Sequence, residues 1–227
     1  QQLIDDGVQG VGSASPFGDE PFAQSWGRPE TSGTRVAFNS GYEINDAVEL
    51  YMHGGYADTD GRYRFFYRNP AIPSIDKGAH SSIQPLLDLG YDGDIAKVGY
   101  TPFLDGDQTD FSAIIGLKGE FVGDTTYDFS VSTGSNELSY TLNNSVNSGL
   151  GLTADLEIPQ MQFNTGGYQQ EEMNVNADFL TPITDDIYLA YGLEWREETY
   201  TSMAGEVNSY MPIWILNKVK KILAEGR

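Results

Sequence analysis

The chain of 227 residues is long enough for one large or two modest domains, and 39% apolar content is enough for a core. A formal charge of −20, from 13 basic against 33 acidic side chains, argues against a nucleic-acid partner, because neutralising phosphates needs clustered Lys and Arg. Cysteine is absent, which removes disulfides and thiolate chemistry and leaves the compartment open.

Fourteen Tyr and 26 Gly suit strands and turns better than helices. No apolar run approaches the roughly 20 residues of a membrane helix, but a barrel strand needs only about 9 to 11, with every other one facing lipid. The start at Gln1 has no basic-then-apolar leader, as expected of a processed chain or one that begins inside a longer protein.

Residues 1–33 are rich in Gly, Ser, Pro, Asp and Glu without a sustained period, and read as a long external loop. Val36, Phe38, Tyr42 and Ile44 then alternate with Arg35, Asn39 and Glu43, which predicts a strand over 34–44. After the turn Asn45-Asp46, a second strand places Val48, Leu50 and Met52 against Glu49, Tyr51 and His53 and runs into the aromatic-basic stretch at 62–68, closing a hairpin. Residues 69–109 hold Pro70, Pro73, Pro85, Pro102 and Asp92-Gly93-Asp94 and read as a long loop, a length usually tied to function.

Phe111, Ala113, Ile115, Leu117 and Phe121 share the next strand face, and Gly123-Asp124 turns the chain. Tyr127, Phe129, Val131 and Thr133 follow; the apolar parity then moves to Leu138, Tyr140 and Leu142, which predicts a bulge or the end of the buried stretch. A second long connection spans about 143–168. Met173, Val175, Ala177 and Phe179 form a two-sided strand, and after the turn at 181–186 come Ile187, Leu189, Tyr191, Leu193 and Trp195. The tail from Met211, with Ile215, Val219 and Ile222 at helical spacing beside lysines, predicts a short amphipathic helix, either a membrane-surface helix or, the favoured reading, an atypical tail without a transport role.

The reading is all-β: about six antiparallel up-and-down strands in three hairpins. If the apolar faces met a core, the chain would be a soluble β-sandwich module for binding or adhesion. If they met lipid, it would be a transmembrane barrel segment. Connections alternate long, short, long, short, long, short, which matches the short periplasmic turns and long extracellular loops of outer-membrane barrels. Tyr42, Tyr127 and Trp195 near strand ends would then join an aromatic girdle.

Several passages carry a resemblance: DEPFAQSWGRPE at 19–30, VELYMHGGY at 48–56, FYRNP at 66–70, GLKGE at 116–120, YDFSV at 127–131, YTLNNS at 140–145 and YGLEWREE at 191–198. In their order and spacing, residues 19–210 resemble part of the barrel of a TonB-dependent outer-membrane receptor. The resemblance implies location in the cell outer membrane and active uptake of a scarce nutrient, such as a ferric siderophore, cobalamin or a carbohydrate. An external ligand would bind loops and plug, and a TonB energy-coupling complex would act on the intact protein only. Neither a TonB box nor a plug is recognisable, and six strands fall short of about 22. An open edge in lipid leaves backbone groups unpaired. One sector of a larger barrel is therefore expected. A small passive barrel of structural type would need at least about eight strands.

Arg62, Tyr63, Arg64, Phe66, Tyr67 and Arg68 are the candidate ligand-binding residues, since guanidinium groups pair with oxyanions and rings can stack between them. An interfacial belt would also explain the aromatics. Asp58-Thr59-Asp60-Gly61 and Asp105-Gly106-Asp107 lack the further acids and distal Glu of a calcium loop and read as ordinary turns. His53 and His80 are far apart on different elements, with His53 expected to line the polar interior beside Glu49. Glu171-Glu172 and Glu197-Glu198 point to opposite faces, poor geometry for shared acid-base work. No Gly-x-Ser-x-Gly or His-Glu-x-x-His motif occurs. No enzymatic activity, metal or cofactor is expected.

Overall fold

A computed structural model describes residues 29–71, 76–121, 123–210 and 212. Among these, six strands form one antiparallel sheet in the order β1-β2-β3-β4-β5-β6: β1 Glu30–Asn45, β2 Val48–Arg64, β3 Phe103–Glu120, β4 Thr126–Asn143, β5 Phe163–Thr184 and β6 Ile187–Ala204. The three hairpins and the alternation of tight and long connections follow the sequence pattern. The expected tail helix and most of the expected first loop lie outside the described residues.

Three short turns close one end of the sheet. In the first, the Ala47 amide donates to Asn45 Oδ1 at 2.9 Å, the local side-chain bond that makes Asn a turn former. The second sets Gly123 at φ 99° and Asp124 at φ 61°. In the third, the Asp186 amide donates to Thr184 Oγ1 at 3.3 Å. Pro182, which cannot donate to a ladder, sits where the β5–β6 register shifts.

The strands run 16 to 22 residues, well past the limits set by apolar alternation. β1 starts at Glu30, inside the stretch read as loop, and β3 and β5 start at Phe103 and Phe163, inside the two stretches read as long connections. Asp58, Asp60, Asp105 and Asp107, read as turn residues, are strand positions, with Asp60 directly opposite Asp107. Ladder hydrogen bonds do not need apolar side chains, so pairing outlasts the pattern that announces it.

The parity change in β4 is not a bulge. β3 and β4 stay in register from Phe103↔Asn143 to Glu120↔Thr126, so Leu138, Tyr140 and Leu142 face away from Tyr127, Phe129 and Val131. The register shift in this region lies between β4 and β5, at Tyr140/Thr141, where β5 carries the extra residue Thr165. Gly166 follows at φ 93°, and a Cβ there would lie 2.2 Å from the Met203 carbonyl oxygen, so only glycine fits.

A buried core forms at the opposite end, where the described residues of 65–102 and residues 144–162 fold together as a cap. The first segment holds α1 Gln84–Asp88 and α2 Asp94–Val98, and the second a 3-10 turn, Ser148–Leu150. Ile83, Leu86, Tyr91, Ile95 and Tyr100 are buried together, and Val146, Leu152, Ile158 and Met161 from the second segment pack on them. An antiparallel bridge between Arg68 and Tyr100 closes the base of the first cap segment, just past the ends of β2 and β3. A last helical turn, α3 Val207–Tyr210, follows β6.

Candidate functional site

The sheet has two unlike faces. Cross-strand rows such as Tyr42–Leu50–Leu117–Phe129–Ala177–Leu193 and Ser40–Met52–Ile115–Val131–Val175–Trp195 run through all six strands on one face. Most large side chains here are open, from 36% for Leu50 to 79% for Leu193, while Leu117, Tyr127 and Phe179 are half-buried. Five strand spacings by about nine residues make a band of roughly 24 by 30 Å, or about 700 Å² in projection. The largest apolar patch on a typical water-soluble monomer is about 300–600 Å². Fully burying each Leu, Val or Phe contributes about 1.5–3 kcal/mol, so this face calls for a non-aqueous neighbour.

Aromatic residues mark the edge of the band nearest the turns. Tyr127 lies between Phe121 and Phe129, with ring centroids at 4.4 and 5.3 Å, and Phe179 stacks on Tyr191 at 5.2 Å. Tyr42 lies toward this edge on β1, whereas Trp195 stands at the cap-side limit of the band on β6. Beyond that limit the same face turns acidic, with Asp58, Asp60, Asp105, Asp107, Glu171 and Glu197.

The opposite face of the band is polar and bonded across strands. Lys118 Nζ lies 3.1 Å from Glu49 Oε2 and 5.7 Å over the Tyr51 ring, while Tyr51 donates to Asp128 Oδ1 at 2.7 Å. Tyr51 also covers Gly116, where a Cβ would lie 2.2 Å from the ring. Arg196 joins Glu172, at 2.8 Å, to Glu198. The two acid pairs do split between faces as their spacing implies; the arginine that gathers their polar-face members was not singled out. His53 stands on this face and stacks on Tyr51 at 6.1 Å. Near the turns, Glu43, Glu49, Lys118, Asp128 and Asp178 border a depression of 720 Å³.

The six residues singled out from the sequence fall in three environments. Arg62 forms a two-point pair with Asp105, Nε to Oδ1 at 2.7 Å and Nη2 to Oδ2 at 2.9 Å, over the Phe103 ring at 4.1 Å. Asn143 Nδ2 also donates to Asp105, at 2.9 Å. Arg64 shares that sheet face, with Nη2 3.9 Å from Glu30 Oε2. Tyr63 points to the other face, in edge contact with Phe65 at 5.7 Å, and Phe66 is 61% exposed.

Tyr67 and Arg68 belong to the cap. Tyr67 donates to the Val98 carbonyl at 2.6 Å, and burial pushes its phenol up to about 12. Burial first, and then the Arg68 charge, hold the His80 imidazole below its ordinary value. The Ser82 amide donates to His80 Nδ1 at 3.2 Å, so this nitrogen is the acceptor; Ser82 Oγ, at 2.8 Å, donates to it and accepts from the Tyr100 hydroxyl at 2.7 Å. Among the described residues, no group of three His, Cys, Asp or Glu is placed to hold a metal ion.

An aromatic ladder was missed by sequence reasoning: Tyr140, Tyr168 and Tyr200, on neighbouring strands and on the polar side of the sheet, beyond the band. Tyr140 and Tyr168 meet edge-on at 6.5 Å, and Tyr168 stacks on Tyr200 at 5.9 Å. The signal was the parity change at Tyr140, which could be read as a change of face only once the unbroken β3–β4 register, and the β4–β5 register up to Tyr140, were known. No protein-family model matches this chain, and no curated protein is similar to it.

Proposed function

We propose that the chain is one sector of the wall of an outer-membrane β-barrel of the TonB-dependent receptor type, with its cap and long connections outside the cell, serving active uptake of a scarce nutrient. The observation that carries this reading is the exposed, charge-free apolar band running through six consecutive strands, with a bonded polar network behind it. At a strand tilt near 40°, a band of about 30 Å along the strand stands about 23 Å high, close to the ~25 Å of outer-membrane barrels. Aromatic residues at its edges suit the interface, and a bonded polar lining suits a lumen.

β1 and β6 are sheet edges, and an edge in lipid leaves backbone groups without partners at several kcal/mol each, so further strands must complete the wall. Ligand capture belongs to the cap end of the lumenal face. The partners of the intact protein are outer-membrane lipid, an external solute and an inner-membrane energy-coupling complex. A soluble sandwich would need a second apolar layer over the band, and the described strands make a single sheet.

Extraction of membranes bearing the full-length native protein with carbonate or high salt tests the reading. Retention in the pellet is the expected result, and release into the soluble fraction would overturn it.

A further inference from the structure

We infer that the Tyr140–Tyr168–Tyr200 ladder is a binding platform for a neutral oligosaccharide; this rests on the barrel reading and names the solute class for it. The three rings lie on the face opposite the apolar band, so a girdle at a lipid interface does not account for them. They also lie beyond the band: Tyr168 is five residues past Met173 on β5 and Tyr200 five past Trp195 on β6, roughly 16 Å along each strand. Tyr168 and Tyr200 are 46% and 66% exposed although they stack on one another, so flat aromatic surface remains open.

The surroundings fit a sugar. Tyr140 packs over Gly106, where a Cβ would meet the ring at 3.4 Å, so its ring lies along the sheet. Tyr140, Gly166, Tyr168, Ser202 and Tyr210 line a depression of 310 Å³ at the end of the ladder. One row beside the rings sets Asp110, Asn136, Gln170 and Tyr200 side by side on four strands. Asn136 and Gln108 both donate to Asp110, the latter at 2.9 Å, while Gln170 is exposed between Asn136 and Tyr200. Aromatic faces with a few placed amides and hydroxyls suit a ligand that has apolar ring faces and a hydroxyl rim.

Charge decides against an anion such as a ferric siderophore. The acids Asp110, Glu172 and Glu198 lie on the ladder's own face, where Arg196 is already held between the two glutamates, and Arg62 and Arg64 are on the other face. Arg35 shares the Tyr200 row, but at its β1 end.

Full-length protein purified in detergent would be titrated calorimetrically with maltohexaose, cellohexaose, xylohexaose and mannohexaose, and with ferric citrate as the anionic probe. At least one hexasaccharide should bind; Tyr168→Ala and Tyr200→Ala should weaken it at least tenfold, and Tyr200→Phe, which keeps the ring, less than threefold. Circular dichroism on each variant separates lost binding from lost fold. Binding of no hexasaccharide, tighter binding of ferric citrate, or alanine variants that fold and bind like the wild type would each overturn the inference. Carbonate extraction on the same preparation reports on the barrel reading independently, so membrane retention without sugar binding defeats this inference alone.

Discussion

Val131 lies mid-band on β4, between Ile115 and Val175, and is 41% exposed. If lipid covers it, Val131→Arg places a guanidinium near the bilayer midplane at a cost of about 2–4 kcal/mol, roughly a 30- to 700-fold loss in the folding constant. Ser135 is on the same face and strand four residues toward the cap, about 13 Å along the strand and roughly 10 Å higher at the stated tilt. Ser135→Arg should therefore cost about 0–1 kcal/mol, as charges near the interface do. Ser132→Arg, on the polar face, serves as the control for size and charge. Reversible guanidinium unfolding of the full-length protein from vesicles measures all three. A protein partner over the band would also penalise Val131→Arg but would impose no dependence on depth. Equal costs at 131 and 135, or a cost within about 0.5 kcal/mol at 131, would refute lipid contact.

Arg62→Ala removes the two-point pair with Asp105 at a site whose side chains are about one-third exposed, so it should lower stability by about 1 kcal/mol or less; a loss above about 3 kcal/mol in the same unfolding assay would count against this. Ile95 is 0% exposed in the cap core, and Ile95→Ala should cost the cap about 2–5 kcal/mol, seen as faster proteolysis within residues 65–102 while the strands stay protected; unchanged cleavage would contradict a packed cap. His80 binds its proton more weakly in the folded cap than an ordinary imidazole, near 6.5, does in the unfolded chain. Its contribution is complete above about pH 6.5 and is lost as pH falls through the folded value, because protonation puts a hydrogen on the nitrogen that accepts from Ser82. Hydrogen exchange at 77–102 should speed up on acidification, and His80→Gln should flatten that dependence; an equal slope in the variant would refute the role.

What the sequence revealed and what it concealed have a common cause. Alternation at Val48–Leu50–Met52 or Met173–Val175–Ala177 is a local signal, and it located all six strands and the three tight turns. It also set their limits too short, because beyond the band β2 and β3 carry Asp58, Asp60, Asp105 and Asp107, which look like turn residues while they continue the ladder. The cap was invisible for another reason. Its helices are five residues each, too short for a period, and its core depends on packing of Leu152 and Ile158 against the cluster that holds Leu86 and Ile95, far apart in the chain. Arg62 to Arg68 looked like one cluster because the residues are consecutive, but strand alternation and the Arg68–Tyr100 bridge disperse them. The tyrosine ladder needed the β4–β5 and β5–β6 registers before Tyr140, Tyr168 and Tyr200 could be set side by side.

Trp195 stands on the apolar face, half-exposed, in a row with Val175 and Val131. With Trp26, Trp214 and every tryptophan of the completing strands replaced by Phe, the fluorescence of full-length protein in vesicles reports on this position alone. Lipid contact should give strong quenching by lipids brominated on their acyl chains and little by aqueous iodide. Quenching by iodide, with none from brominated lipid, would place the band in water and contradict a membrane-spanning wall.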